Sequence, residues 1–403
     1  MRREVYVVAI SIAILMTGFG IFMPFIPVFA RHLGASAFDI GIMVSAFMIA
    51  RIPSARYFGA KSDVIGRKKI MLLGLLGYSV ITALIATSRS IEELIIRRLF
   101  QGIASGAFWP AAQALISDAV LIHERARAVS IVNAASTTGM IAGPALGGIL
   151  YHFFYSSTGS ELLAFRYTFI ATALISASTL VFVLFFVEEV KAAKRVIFVQ
   201  DISIPSIARV IFTVAFANGL AVSMVNSVRV LLLYEYFHAS PELLAALFSI
   251  MGVINAILAY PAGYLADHFG RKTVIIYTLG ASRLLSLALP FLTDLMSFVG
   301  VSILRGAAFA LGGPAYRAIS ADLFAHARGK LIGQQQARFN TGSVIGPLIG
   351  TRLYDHMPRE IKIRHLILIG KAIGYILSGI IGLIALIYFL INVPESMAVM
   401  KEE

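Results

Sequence analysis

The chain has 403 residues, of which 59% are hydrophobic and only 14% charged, with a net charge of +13 and a mean hydropathy of +0.85. A soluble protein of this length needs far more polar surface, so a water-bathed globular domain is excluded. The absence of cysteine excludes disulfides and thiolate metal sites. The scarcity of Asn and Gln, about a dozen together, hints at a thermophilic source.

Apolar runs alternate with short charged clusters along the whole length. That pattern predicts membrane-spanning helices, because backbone amides in lipid must be satisfied within their own segment. The N-terminal run from Val5 to Ala30 is too long for a signal-peptide core and holds Pro24 and Pro27, so it is expected as an uncleaved first span. In chain order the spans are expected at 5–30, 36–58, 69–87, 92–119, 124–153 and 165–187. A second set is expected at 205–236, 241–265, 273–293, 297–322, 328–354 and 365–392. The expected organisation is a six-helix bundle over 1–190, a cytoplasmic linker over 191–204 with Lys191, Lys194 and Arg195, and a second bundle over 205–403.

Basic residues orient the chain. With both termini cytoplasmic, inner loops and tails hold sixteen Lys and Arg against seven in outer loops and helix ends. The positive charge is then a topology signal, and no nucleic-acid partner is expected.

The segment "FGAKSDVIGRKK" at 58–69 is restated as "PAGYLADHFGRK" at 261–272. Gly59, Asp63, Gly66, Arg67 and Lys68 recur 204 positions later as Gly263, Asp267, Gly270, Arg271 and Lys272. The same offset links Gly102 to Gly306, Pro110 to Pro314 and Asp118 to Asp322. "GMIAGPALGG" at 139–148 matches "GSVIGPLIGT" at 342–351 with an offset of 203. One register across separate motifs marks a duplicated six-helix unit.

These residues resemble the major facilitator superfamily over essentially the whole chain. "GYLADHFGRK" is close to the family's G-x-L-A-D-R-x-G-R-K motif, and "GAKSDVIGRK" is looser, with Lys61 and Ser62 in place of Leu and Ala. "RLFQG", Arg98 to Gly102, matches the fourth-helix R-x-x-Q-G motif. "GMIAGPALGG" matches the fifth-helix G-x-x-x-G-P-x-x-G-G motif, which in the family goes with exporters working as antiporters. The resemblance implies an all-α membrane protein, two pseudo-symmetric bundles of six helices rocking around a central site, and a cell membrane of a prokaryote.

The acids and bases of the repeated loop are expected to form a cytoplasmic latch. Arg67 sits between Asp63 and Asp118, and Arg271 between Asp267 and Asp322. A cation between two carboxylates at the lipid edge is a short-range lock, stronger where water is scarce. The glycines, Gly59 with Gly66 and Gly263 with Gly270, are expected to let the chain turn between spans. Gly139, Gly143, Gly147 and Gly148 form an expected small-residue packing surface beside Pro144, repeated as Gly346 and Pro347.

Buried basic residues are the other candidates, since a charge in a span usually faces a cavity or a partner. Helical spacing collects Arg98, Ser105 and Trp109 on the fourth span, beside Gln101 of the motif. It collects Arg305, Phe309, Gly312 and Tyr316 on the tenth. Asn218 and Arg229 share a face of the seventh with Asn226 at its edge, and Gln334, Arg338 and Thr341 share one on the eleventh. Arg283 and Lys371 are assigned to scaffold helices. No Asp, Glu or His falls deep in a span, which weakens proton antiport through a mid-membrane carboxylate.

The leading expectation is an ion-coupled efflux antiporter for small organic or amphiphilic molecules, with a proton as one candidate for the coupling ion. The rivals are uptake or exchange of organic or phosphorylated anions through an Arg-lined cavity, and a receptor or lipid scramblase on the same fold. No phosphate-binding loop, nucleophile elbow or metal-ligand cluster is present, so no enzyme, metal or cofactor is expected. The expected partners are a small-molecule substrate and the lipid bilayer, with the chain a monomer.

Overall fold

A computed structural model describes residues 3–121, 124–189, 206–323, 328–363 and 366–394. The expected linker at 191–204 lies outside the described residues. Twelve long helices follow in order: α1 Arg3–His32, α2 Ala37–Ile65, α3 Arg67–Ala86, α4 Ile91–Ala119, α5 Arg125–Thr158, α6 Glu161–Phe186, α7 Ser206–Leu231, α8 Pro241–Phe269, α9 Arg271–Ala288, α10 Leu295–Leu323, α11 Arg328–His356 and α12 Ile373–Asn392. Nine of them are long and apolar enough to cross a membrane. Among the described residues the exceptions are α4, α5 and α11, whose middle stretches are diluted by Gly, Ser, Thr, Asn and Gln.

Several helix starts follow from local chemistry. Ser36 and Asp39 form a reciprocal capping box at α2, and Ser90 and Ser160 cap α4 and α6 with their hydroxyls. Each supplies an acceptor to an N–H that the helix leaves unpaired. The turn from α2 to α3 is a single residue, Gly66 at φ +120°, and that from α8 to α9 is Gly270 at φ +85°. Only glycine takes such values without strain. Gly59 and Gly263 lie inside α2 and α8, so the expected pair of hinge glycines per loop reduces to one.

Contacts divide the chain into two units, residues 1–197 with 239–252, and residues 198–238 with 253–403. The contact-defined units and the expected border near 190–205 differ in the first half of α8. In the first unit α1 packs on α5 and α6, α2 on α4, and α3 between α4 and α6. Its core joins Val8, Ile12, Leu75, Phe108, Ala111 and Leu115. The first half of α8 lies along α5: Ser249 Oγ donates to the Ile141 carbonyl at 3.0 Å, and His152 Nδ1 lies 3.3 Å from Glu242 Oε1.

In the second unit α7 packs on α11 and α12, and α9 on α10 and α12, around Ile211, Ile275, Ala315, Ile319 and Phe389. The second half of α8 makes no packing with α10 comparable to that of α2 with α4 among the described residues. Tyr260 on it is 87% exposed.

Two local features depart from the expected helices. The last span does not begin at 365. Glu360–Ile363 (β1) and Leu366–Ile369 (β2) pair antiparallel, with Glu360 opposite Ile369, and a 3-10 turn at Gly370–Ala372 leads into α12. Four apolar residues in a row fit a strand as well as a helix, and periodicity cannot separate the two. The C-terminal end of α7 widens into a π turn at Leu232–Tyr236, and the Tyr236 hydroxyl donates to Glu360 Oε1 at 2.9 Å.

Candidate functional site

The charged turn between α2 and α3 is built around one buried cation. Arg67, 3% exposed, is held from three sides. Its Nη2 lies 2.5 Å from Asp63 Oδ1 and 3.1 Å from Asp118 Oδ2, its Nε donates to that same oxygen at 3.1 Å, and its Nη1 donates to Ser62 Oγ at 2.8 Å. Three short chain segments converge because Gly66 turns the backbone sharply enough to bring Arg67 back over the end of α2.

Glu189, just past α6, supplies a further acceptor: its Oε1 receives the Lys68 N–H at 3.1 Å, while Lys68 Nζ donates to the Leu184 carbonyl. It satisfies a donor that the start of α3 leaves open and adds a favourable negative charge there. Neither Ser62 nor Glu189 is legible from the repeat, since Ser62 departs from the usual Ala and Glu189 lies 123 positions beyond Gly66.

The second copy is less complete. Arg271 pairs with Asp322, but Asp267 is exposed and has no ion-pair partner among the described residues. The expected second triad is therefore a single pair.

In the first unit, α1, α2, α3 and α4 enclose a cavity of about 120 Å³. Its wall is mainly aromatic: Phe19, Phe47, Tyr78, Phe108 and Trp109, with Arg51 and Ser105 as polar members. Trp109 and Ser105 thus stand where helical spacing predicts. Arg98 lies behind this wall, its guanidinium 4.5 Å from the Phe47 ring centre and 5.5 Å from that of Phe22. Its Nη1 donates to Gln101 Oε1 at 2.6 Å, and Gln101 Nε2 donates to Thr82 Oγ1 at 2.8 Å. The R-x-x-Q spacing puts the two side chains one turn apart, where the amide screens the buried charge.

In the second unit a cavity of about 400 Å³ is lined by Asn218, Phe309, Gly312, Tyr316, Gln335 and Gln336, among others. The predicted α10 stripe of Phe309, Gly312 and Tyr316 faces it, and Asn218 comes from α7. Asn226 is exposed and lines no cavity described here. The expected α11 face is rotated: Gln335, Gln336 and Phe339 face the cavity, whereas Gln334 and the exposed Arg338 do not. With three consecutive glutamines, spacing alone does not choose which one turns inward. Arg229 is half-buried.

Arg283 is fully buried, with Nη2 donating to Asn218 Oδ1 at 2.6 Å. Gly382 of α12 makes room for it, because a Cβ there would strike the guanidinium. This is a neighbour-helix role of the kind expected for Arg283. Lys371 sits in the 3-10 turn with Nζ 4.3 Å from the Tyr354 ring centre.

The glycine motif of α5 is split. Gly139 and Gly143 meet the α1 backbone so closely that a Cβ on Gly139 would lie 2.9 Å from Met16 Cβ, and one on Gly143 2.7 Å from Gly20 Cα. Gly147 meets Ile21 and Phe25 on the same side, beside Pro144. Gly148 faces Ala245 of α8 instead, so the four do not share one surface. In the repeat, Gly346, one residue before Pro347, meets α7 at the Leu220 carbonyl and Met224 N.

The family profile described as Major Facilitator Superfamily matches the chain twice, over residues 8–209 and 211–402. The chain belongs to the Major Facilitator Superfamily. Membership makes it a multi-pass membrane transporter and not an enzyme. Among its relatives are multidrug resistance protein 2 of Bacillus subtilis (strain 168), 26% identical over 88% of this chain and 90% of that one. Quinolone resistance protein NorA of Staphylococcus aureus (strain COL) is 24% identical over 94% and 96%.

The same superfamily fold recurs in solved structures. A bacterial homolog of the human lysosomal transporter Spinster, inward-facing and unoccupied, gives a TM-score of 0.80 at 13% identity, covering 99% of this chain and 98% of that one. A D-xylose–proton symporter gives 0.75 at 18% identity, covering 97% and 98%.

Proposed function

We propose that this superfamily member exports small apolar or amphiphilic organic molecules by alternating access, in exchange for an ion, from the plasma membrane of a prokaryotic cell. The observation that carries the reading is the aromatic cavity of the first unit. Phe19, Phe47, Phe108 and Trp109 offer ring faces to cargo without fixing its shape, and Arg51 and Tyr78 add two polar handles. The resistance proteins to which the chain is similar support the same direction of transport.

In this reading both termini are cytoplasmic and the chain works as a monomer. The Asp63–Arg67–Asp118 cluster is a cytoplasmic latch that stabilises one face of the cycle, and Arg271–Asp322 is its weaker repeat. The close seam of α1 and α5 at Gly139 and Gly143 is a surface along which the helices slide. The coupling ion is a proton carried at helix ends, since the described acids lie there and not in mid-span.

Proteoliposomes test this directly. A lipophilic cationic dye, an apolar neutral one and a carboxylated analogue of similar size are offered with an imposed proton gradient. Uphill movement of the first two, dissipated by a protonophore and reduced at least tenfold by Trp109→Ala, is the expected result. Preference for the carboxylate would replace export of amphiphiles by anion exchange, the reading favoured by the buried arginines. Downhill movement alone, indifferent to the gradient, would leave a scramblase or receptor.

A further inference from the structure

The duplication supplies an internal control for the buried arginines. Shifted by 204 positions, Thr82, Arg98 and Gln101 become Ser286, Ser302 and Arg305. In the first unit the three side chains close a chain of donors and acceptors, Arg98 Nη1 to Gln101 to Thr82, which leaves only the Nε of Arg98 unmatched among them. In the second the guanidinium has moved one helical turn, into the place of the glutamine, and the amide oxygen that would accept from it is gone.

The result is a cluster of buried polar atoms with nothing to bond. Arg305 is 7% exposed and its Nε has no hydrogen-bond partner. The hydroxyls of Ser286, Ser302 and Tyr375 are also buried and also without partners. They lie on three neighbouring helices. Ser282 Oγ of α9 donates to the Arg305 carbonyl of α10 at 3.1 Å, and since the two helices run antiparallel, Ser286 falls opposite Ser302 one turn further. The Tyr375 ring of α12 lies 5.8 Å from the Arg305 guanidinium carbon.

Two further guanidinium groups lie close by. Arg305 lies within electrostatic reach of Arg229 and Arg283. Among the described residues no Asp or Glu pairs with Arg283 or Arg305. Buried donors left unmatched are rare, and an unpaired buried cation is costlier still. A guanidinium only donates, and hydroxyls donate or accept but carry no charge, so what the cluster lacks is a negative countercharge.

The geometry points to a buried site for a small inorganic anion of chloride size between α9, α10 and α12. Arg305 Nε and the hydroxyls of Ser286, Ser302 and Tyr375 hold the ion, and Arg283, whose bond goes to the neutral Asn218, supplies the surrounding positive potential. The burial of all four side chains excludes an organic acid and restricts the ligand to a monatomic ion. The site is independent of the cargo, and its test needs no transport.

Purified full-length protein is unfolded thermally in sodium chloride, bromide, sulfate and gluconate at equal ionic strength. The expected result is a saturable rise of roughly 3 °C in chloride and bromide over gluconate, because an ion that binds only the folded state stabilises it by mass action. Arg305→Gln, which installs the residue of the first unit, abolishes that rise, and Arg98→Gln retains it. Tyr375→Phe and Ser302→Ala each weaken the apparent halide affinity about tenfold, the loss of one charge-assisted hydrogen bond; they carry the same comparison should Arg305→Gln not yield folded protein. Equal melting temperatures in chloride and gluconate would mean that water meets these donors, and the proposal falls. A halide response that survives Arg305→Gln, or that survives both milder substitutions undiminished, would overturn it as well.

Discussion

Arg67 has two carboxylates and a serine about it, whereas Arg271 has one carboxylate, although the two loops derive from one ancestral sequence. The difference makes the two copies unequal under mutation. Asp118 is buried, so Asp118→Asn leaves Arg67 short of a countercharge and is expected to cost about 3 kcal/mol, the scale for breaking one side of a buried pair. Asp267 is exposed and unpaired among the described residues, so Asp267→Asn is expected to change stability by less than about 0.5 kcal/mol. Denaturation of both variants in the same detergent checks the ranking, and equal losses would refute it. Sequence alone gives Asp267 the weight of its counterpart Asp63, which does pair with Arg67, because identical letters at an identical offset carry no record of how a helix is packed.

Helices and their seams respond on a different scale. Gly143→Leu drives a side chain into the α1 backbone near Gly20, and overpacking of this kind costs about 1–3 kcal/mol or displaces the helix. Gly263→Leu meets open space and is expected to be silent in a thermal-shift assay. The hairpin gives a finer test. Tyr236→Phe deletes the hydrogen bond from the π turn to Glu360 and should lower stability by about 1 kcal/mol.

At this scale the sequence was legible where patterns run long. The small-residue spacing of α5 foretold a close seam, and the apolar lengths foretold the helices. It was illegible where four residues decide, as at Leu366–Ile369, and where three glutamines in a row leave the inward one to the tilt of α11. Glu189, which caps α3 from the far end of the first six helices, has no signal in any local window.

For the whole molecule, the duplicated motifs, their order and the alternation of apolar and charged segments were enough to read twelve helices and the superfamily before any coordinates. Cargo and coupling are properties of cavity shape and proton traffic, which residue spacing encodes weakly. Phe47→Ala opens the aromatic wall of the first unit and, if that wall meets cargo, raises the concentration for half-maximal dye transport several-fold while the maximal rate holds. A fall in rate alone, with unchanged half-saturation, would move the cargo contacts elsewhere.

The first half of α8 belongs with residues 1–197, although the duplication assigns it to the second repeat. Repeat and contact-defined unit therefore have different borders. A polypeptide severed after Ile197 should yield fragments that stay together through purification, fastened where Ser249 meets Ile141 and Ala245 meets Gly148. An ancestor consisting of one copy would have had to lend that half-helix to a sister molecule, which makes a dimer the natural predecessor of the fused chain.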